Sequence, residues 1–139
     1  MNLITSVKTC FRKYATFRGR APRSEFWWFV LFFMLGSIVL ATIETALLGI
    51  GDVSHVRGGY EWHSNGGPLS GLFALGMLLP MLAVTVRRLH DVGKSGWFIL
   101  IGLIPLIGSL VLLYFYVQPS QQGSNSFGAS PEGGPPPLP

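Results

Sequence analysis

Three long apolar runs separated by short polar segments set the pattern of this chain. Phe26 to Leu48 is 23 residues with Glu44 as its only charge, Leu69 to Val86 is 18 uncharged residues, and Trp97 to Val117 is 21. A helix rises about 1.5 Å per residue against a hydrocarbon core of roughly 30 Å, so the first and third runs can cross a bilayer and the second is just long enough. None shows the period-2 alternation of a membrane strand, and a helix satisfies its own backbone in lipid. The pattern predicts an all-α membrane protein with three transmembrane helices, at 26–48, 69–86 and 97–117. Pro80 and Pro105 fall inside the second and third spans, where each removes a backbone donor and predicts a kink.

Ahead of the first span, Leu3, Ile4, Val7, Cys10, Phe11, Tyr14 and Phe17 recur every three to four residues, with Lys8, Arg12 and Lys13 between them. That spacing predicts an amphipathic helix from Asn2 to about Ala15, lying in the membrane interface with its cations on anionic headgroups. A groove on a partner protein is the second reading of the same stripe. The glycines between Gly49 and Pro68 predict a flexible loop. From Gln118 onward the chain is rich in Gly, Ser and Pro, ending in Pro135, Pro136 and Pro137, and predicts disorder, with Phe127 tethering its first part at the outer headgroups. The chain thus divides into a cytoplasmic amphipathic helix and basic turn (1–25), a transmembrane domain (26–117) and a disordered tail (118–139). No internal repeat is visible, and an odd number of spans excludes a simple inverted duplication.

Composition reinforces the membrane reading: 49% of residues are hydrophobic and 12% charged, about half the charge a soluble domain carries. Mean hydropathy is +0.46 and the pI near 9.6. The basic residues flank the apolar runs instead of forming a patch with aromatic readers, which argues against nucleic acid as a partner. Lys8, Arg12, Lys13, Arg18, Arg20 and Arg23 precede the first span and Arg87, Arg88 and Lys94 lie between the second and third, whereas Arg57 is the one cation of the first loop and the tail has none. Cytoplasmic flanks are enriched in Lys and Arg, so the N-terminus is expected inside and the C-terminus outside. The first run is far longer than a signal-peptide core and is expected to remain as an anchor. Trp27, Trp28 and Trp97 sit at the cytoplasmic ends of spans and Tyr114 and Tyr116 near the outer end of the third, as interfacial anchors. Cys10 is the single cysteine, so it forms no internal disulfide and reads as a small apolar contact.

The candidate chemistry concentrates in two segments at one membrane face, Phe17–Trp28 and Arg87–Trp97. Gly19 allows a reversal, Pro22 suits a first helical turn, and Ser24 can cap it. Glu25 is expected to meet Arg87 or Arg88, and Asp91 to meet Arg18 or Arg20. The cations outnumber these two acids, and the surplus arginines suit lipid phosphate. A collar of Arg18, Arg20, Arg23, Glu25, Arg87, Arg88, His90, Asp91 and Lys94 is therefore the candidate lipid- or partner-binding site. His90 and Asp91 with Ser95 and Lys94 offer acid–base types, but no nucleophile elbow, metal-ligand set or phosphate loop accompanies them, and no enzymatic activity or cofactor is expected. Asp52, His55, Glu61 and His63 match no ligand spacing, so no metal site is expected either. Glu44 is a candidate ion-relay residue, although its depth of about 27 Å brings it near the outer interface. Ser37, Ala41 and Thr45, and Ser70 with Ala74, allow close helix packing within the chain or in a homo-oligomer.

Phe-Arg-Gly-Arg…Arg-Ser-Glu-Phe-Trp-Trp (17–28), Arg-Arg-Leu-His-Asp-x-Gly-Lys-Ser-Gly-Trp (87–97), Ile104-Pro105-Leu106-Ile107-Gly108, and Gln118-Pro119…Gly123-Ser124-Asn125-Ser126-Phe127-Gly128 together resemble the bacterial inner-membrane family called domain of unknown function 805. The resemblance covers about Phe17 to Gly128 and implies a small multi-spanning protein of the bacterial inner membrane, with no activity to inherit. Val92 stands where that family commonly has Thr, Ser120 where it has Gly, and Ser126 where it has a basic residue. The expected function is a non-enzymatic lipid- or protein-interaction component of the membrane. The alternative is a small oligomeric transporter or channel, motivated by Glu44, Pro80 and Pro105.

Overall fold

The computed structural model describes residues 1–49, 52–56, 59–63 and 66–133, and helix carries the fold. Helix α1 is Leu3–Arg12, opened by Asn2, whose side chain accepts the Thr5 N–H at 2.8 Å and so satisfies one of the first-turn donors. Helices α2 (Arg23–Leu48) and α3 (Pro68–Asp91) are each long and apolar enough to cross a membrane. Pro68 stands first in α3, where its missing N–H has no helical partner to lose. Ser37, Thr42 and Thr85 return their hydroxyls to carbonyls four residues earlier at 2.7–2.8 Å, which satisfies them without help from a neighbour.

Between the two helices, where glycines predicted a flexible loop, the strands β1 (Asp52–Val56) and β2 (Gly59–His63) pair antiparallel, Asp52 opposite His63 and Val56 opposite Gly59. The β-branched and aromatic residues flanking a two-residue connection outweigh the glycines here. The side chains of Asp52, His55, Glu61 and His63, weighed above as metal ligands, and all of Arg57 lie outside the described residues, as do Pro135–Pro137.

The third apolar run is not one helix over 97–117. It is a 3₁₀ segment, Gly96–Leu103, followed by helix α4, Ile107–Val117. Pro105 has no N–H to continue a helix, and Leu106 takes φ 61°, in the left-handed region that L side chains rarely adopt. Ile107 N–H closes the corner on the Pro105 carbonyl at 2.7 Å. Eight residues at about 2.0 Å and eleven at about 1.5 Å give arms of roughly 16 Å, half a hydrocarbon core. The arms lie against each other at Gly108, where a Cβ would fall 1.8 Å from the Ile101 carbonyl oxygen, a closeness that only glycine permits. Phe98 and Phe115 meet edge to face across them at 6.0 Å.

By its contacts the chain forms two units, Met1–Val30 with Leu79–Pro139, and Leu31–Leu78. In the first, Cys10, Ala21, Phe26, Phe29, Ala83, Val84 and Leu89 are buried together with Arg20, Glu25, Arg87, Arg88 and Asp91. In the second, Phe33 stacks on Phe73 at 5.7 Å, and a Cβ at Gly36 would come within 2.6 Å of that same ring. Leu35, Ile38, Val39, Leu72, Leu75 and Leu78 are exposed, an apolar surface suited to lipid and not to water.

Candidate functional site

Gly19, at φ 86°, turns the chain after α1, and Ala21 N–H then pins the turn to the Arg87 carbonyl of α3 at 3.0 Å. Pro22 follows and accepts the Phe26 N–H, so α2 starts directly beside the end of α3. This brings Glu25 to Arg87, whose Nη1 donates to Oε1 at 2.5 Å, and Arg20 to Asp91, Nε to Oδ1 at 3.0 Å. Asp91 also accepts from Arg88 Nη1 and, at 2.6 Å, from the Ser120 hydroxyl. All five charged side chains are buried. Buried ion pairs hold only when their remaining donors are satisfied, and here backbone carbonyls supply most of the need. Arg20 donates to the Gly123 carbonyl at 2.6 Å and to that of Gln121, and Arg88 to those of Tyr116 (3.2 Å) and Gln118. Arg87 Nε and Nη2, and the buried Ser6 hydroxyl, have no partner among the described residues.

These contacts correct two expectations. Gln118–Gly128 is a folded strap, not a disordered tail: besides the arginine contacts, Gln121 N–H bonds the Asp91 carbonyl at 2.9 Å and Asn125 Nδ2 the His90 carbonyl at 2.9 Å. Phe127, expected at the outer headgroups, stacks on the His90 ring at 4.0 Å. The strap therefore lies against the N-terminal turn, because the third run folds back on itself. Tyr116 returns with it, its ring packing on Phe26 at 4.7 Å and its backbone carbonyl accepting from Trp27 Nε1 at 3.3 Å. Ser120, Gln121, Gly123 and Asn125 were missed as site residues on composition, although the Gln-Pro…Gly-Ser-Asn-Ser-Phe-Gly motif contained Gly123 and Asn125 and spanned the other two.

The expected collar separates into two sets. Arg20, Glu25, Arg87, Arg88 and Asp91 form the buried knot, whereas Arg18 and Arg23 are exposed, as are Lys8 and Arg12. Lys94 lies over the Phe98 and Phe115 rings at 5.8 and 5.6 Å. Trp27 and Trp28 are partly exposed and Trp97 is 79% exposed. Cys10 Sγ sits 3.7 Å from Glu25 Oε1, and burial, helped by that carboxylate, pushes its thiol up to about 12. It is an inert contact beneath α1. Glu44 belongs to the other unit. Its carboxylate accepts the N–H groups of Gly67 (3.2 Å), Leu69 (2.5 Å) and Ser70 (3.1 Å) and the Ser70 hydroxyl. It caps α3, a role that accounts for an acid at that depth.

Beside the knot is a cavity of about 520 Å³ lined by Phe17, Leu82, Val86, His90, Ser95, Gly96, Trp97 and Ile99. His90 Nδ1 lies 3.0 Å from the Gly19 carbonyl. A carbonyl only accepts, so Nδ1 carries the hydrogen.

The family model described as "Protein of unknown function (DUF805)" matches residues 14–129. The chain is 35% identical over 121 residues to the inner membrane protein YhaH of Escherichia coli (strain K12), covering 87% of this chain and 91% of that one. It is 38% identical over 124 residues to the inner membrane protein YhaI of the same strain, covering 88% and 92%. No solved structure matches the chain.

Proposed function

The chain belongs to the DUF805 family of small multi-pass proteins of the bacterial inner membrane, and from that premise we propose a non-enzymatic role: it binds anionic phospholipid at its cytoplasmic face. The observation that carries this reading is the sorting of the cations. Arg20, Arg87 and Arg88 are consumed by Glu25, Asp91 and the strap, while Lys8, Arg12, Arg18 and Arg23 stay exposed alongside the exposed apolar Ile4, Phe11 and Phe17. Exposed cations interleaved with exposed apolar side chains suit the headgroup region, where each contributes about 1 kcal/mol toward an anionic surface. The same cations favour the cytoplasm for this face, and the strap goes with it. Anionic lipid then acts on the face where the buried knot joins α2, α3 and the strap.

Native mass spectrometry of the detergent-extracted protein, titrated with phosphatidylglycerol, tests the reading. Replacing Lys8, Arg12, Arg18 and Arg23 by Gln together is expected to weaken retention by about two orders of magnitude or more. Unchanged retention in that variant overturns the proposal. Proton or solute flux in sealed liposomes that disappears with Glu44→Gln replaces it with the transporter reading.

A further inference from the structure

The cavity beside the knot carries a more specific inference, which rests on the anionic-lipid reading. We propose that it is a headgroup site for phosphatidylglycerol, with His90 and Ser95 reading a glycerol hydroxyl. Its volume is within the range of small-molecule sites, and its walls are those sites' usual mixture, apolar except for a few convergent polar groups. Phe17, Leu82, Val86, Trp97 and Ile99 supply the apolar part.

The polar part is built. His90 is 9% exposed, its ring fixed by the Gly19 carbonyl on one edge and by Phe127 on its face. With the hydrogen on Nδ1, the neutral ring presents Nε2 as an acceptor, and no described residue bonds to it. Gly96 keeps the approach to Nε2 open: a Cβ there would lie 3.5 Å from that nitrogen and 2.7 Å from Val86 Cγ1. Ser95 Oγ takes a long bond from Trp97 N–H, 3.4 Å, and keeps its own hydrogen to donate. One acceptor and one donor in the same cavity match a hydroxyl, which both gives and takes. A phosphate or carboxylate oxygen only accepts, and an ammonium only donates.

The mouth decides between a lipid and a soluble polyol. Trp97 and Leu82 are both exposed there, and Leu82, Val86 and Ile99 belong to the long apolar runs, an opening that suits a ligand whose acyl chains stay outside. Arg18, exposed and next in the chain to Phe17, is the cation available to the phosphate.

The test compares phosphatidylglycerol with phosphatidylethanol of the same acyl chains, which has the same charge but no headgroup hydroxyl, by native mass spectrometry of the full chain. Phosphatidylglycerol is expected to be retained about tenfold better, the worth of one buried hydrogen-bond pair. Ser95→Ala is expected to bring the two lipids to parity while leaving phosphatidylethanol unchanged, and Leu82→Trp, which fills the cavity from its exposed rim, to bring them to parity by excluding both headgroups. Equal retention in the unsubstituted protein, or a preference that survives both variants, overturns the headgroup site alone. No retention of either lipid overturns it together with the anionic-lipid reading.

Discussion

Asp91 receives Arg20, Arg88 and the Ser120 hydroxyl, and Glu25 receives Arg87, with no water-exposed side chain among the five charges. Removing one member of such a set strands a buried charge. Asp91→Asn, which leaves two buried arginines facing an amide, is expected to cost about 3–5 kcal/mol. The exposed Arg23→Gln is expected to change stability by less than about 0.5 kcal/mol. Thermal unfolding in detergent separates the two, and a similar melting temperature for both would show that the knot does not hold the fold. The pair Glu25→Leu with Arg87→Met removes both charges and two unpartnered donors at once, and is expected to recover most of what Glu25→Gln alone loses. Cys10 gives a second residue-scale test. Its thiol is raised from 9.0 to about 12, so the fold favours the protonated form. That contribution is complete below about pH 9 and fades as the pH climbs toward 12. At pH 8 the folded thiolate is about a thousandfold scarcer than the unfolded one, and iodoacetamide labelling is expected to slow accordingly. A rate equal to that of the denatured chain contradicts the burial. The Glu25–Arg87 and Arg20–Asp91 pairs were legible in the sequence because an acid beside an apolar span must find a cation. Arg88 as a second partner, and the carbonyls of the strap, were not, since a backbone acceptor leaves no mark on residue type.

At the scale of elements, α2 and α3 follow directly from apolar length, and the third run shows where length stops being informative. Twenty-one uncharged residues can cross a bilayer once or enter it and return, and their hydropathy is the same in both cases. Ile104–Gly108 decides, through the missing N–H of Pro105, the left-handed backbone at Leu106 and the close approach at Gly108. Gly108→Ala puts a methyl within 1.8 Å of the Ile101 carbonyl oxygen and must spread the arms. Because α4 delivers Gln118–Gln121 to the knot, spreading is expected to loosen the strap as well, seen as faster protease cleavage between Gln118 and Gly128. A strap as resistant as the unsubstituted one would show that it is held independently of the arms. Leu106→Gly acts the other way. It relieves the left-handed conformation, side-chain loss is small at an exposed position, and the melting temperature is expected to rise by the equivalent of about 1 kcal/mol. The β-hairpin was obscured by its glycines, and α1 was legible from its three-to-four-residue spacing.

For the whole molecule, the decisive question is how many times the chain crosses between the N-terminal turn and the strap. Counting Lys and Arg says nothing about a segment that carries none, so the tail was assigned to the outside only by alternation after three spans. Arg20, Asp91 and Gln121 meet in one knot, and a chain that leaves the knot at Asp91 and re-enters it at Gln118–Gln121 has crossed an even number of times or not at all. With a folded-back third run, α2 and α3 are left as the two helices long and apolar enough to cross. In a Cys10→Ser background, single cysteines at Lys13 and Ser126 are therefore expected to react with a membrane-impermeant maleimide in inverted inner-membrane vesicles and to stay unlabelled in spheroplasts. A cysteine at Arg57 is expected to show the reverse. Labelling of the Ser126 position from the outside, with Lys13 still inside, would mean that the third run crosses the membrane and that the strap cannot sit on the knot in the native bilayer. The lipid readings stand on the same result. His90 is held by Phe127 of the strap and by the Gly19 carbonyl of the N-terminal turn, so the cavity it lines exists only when both segments share one face.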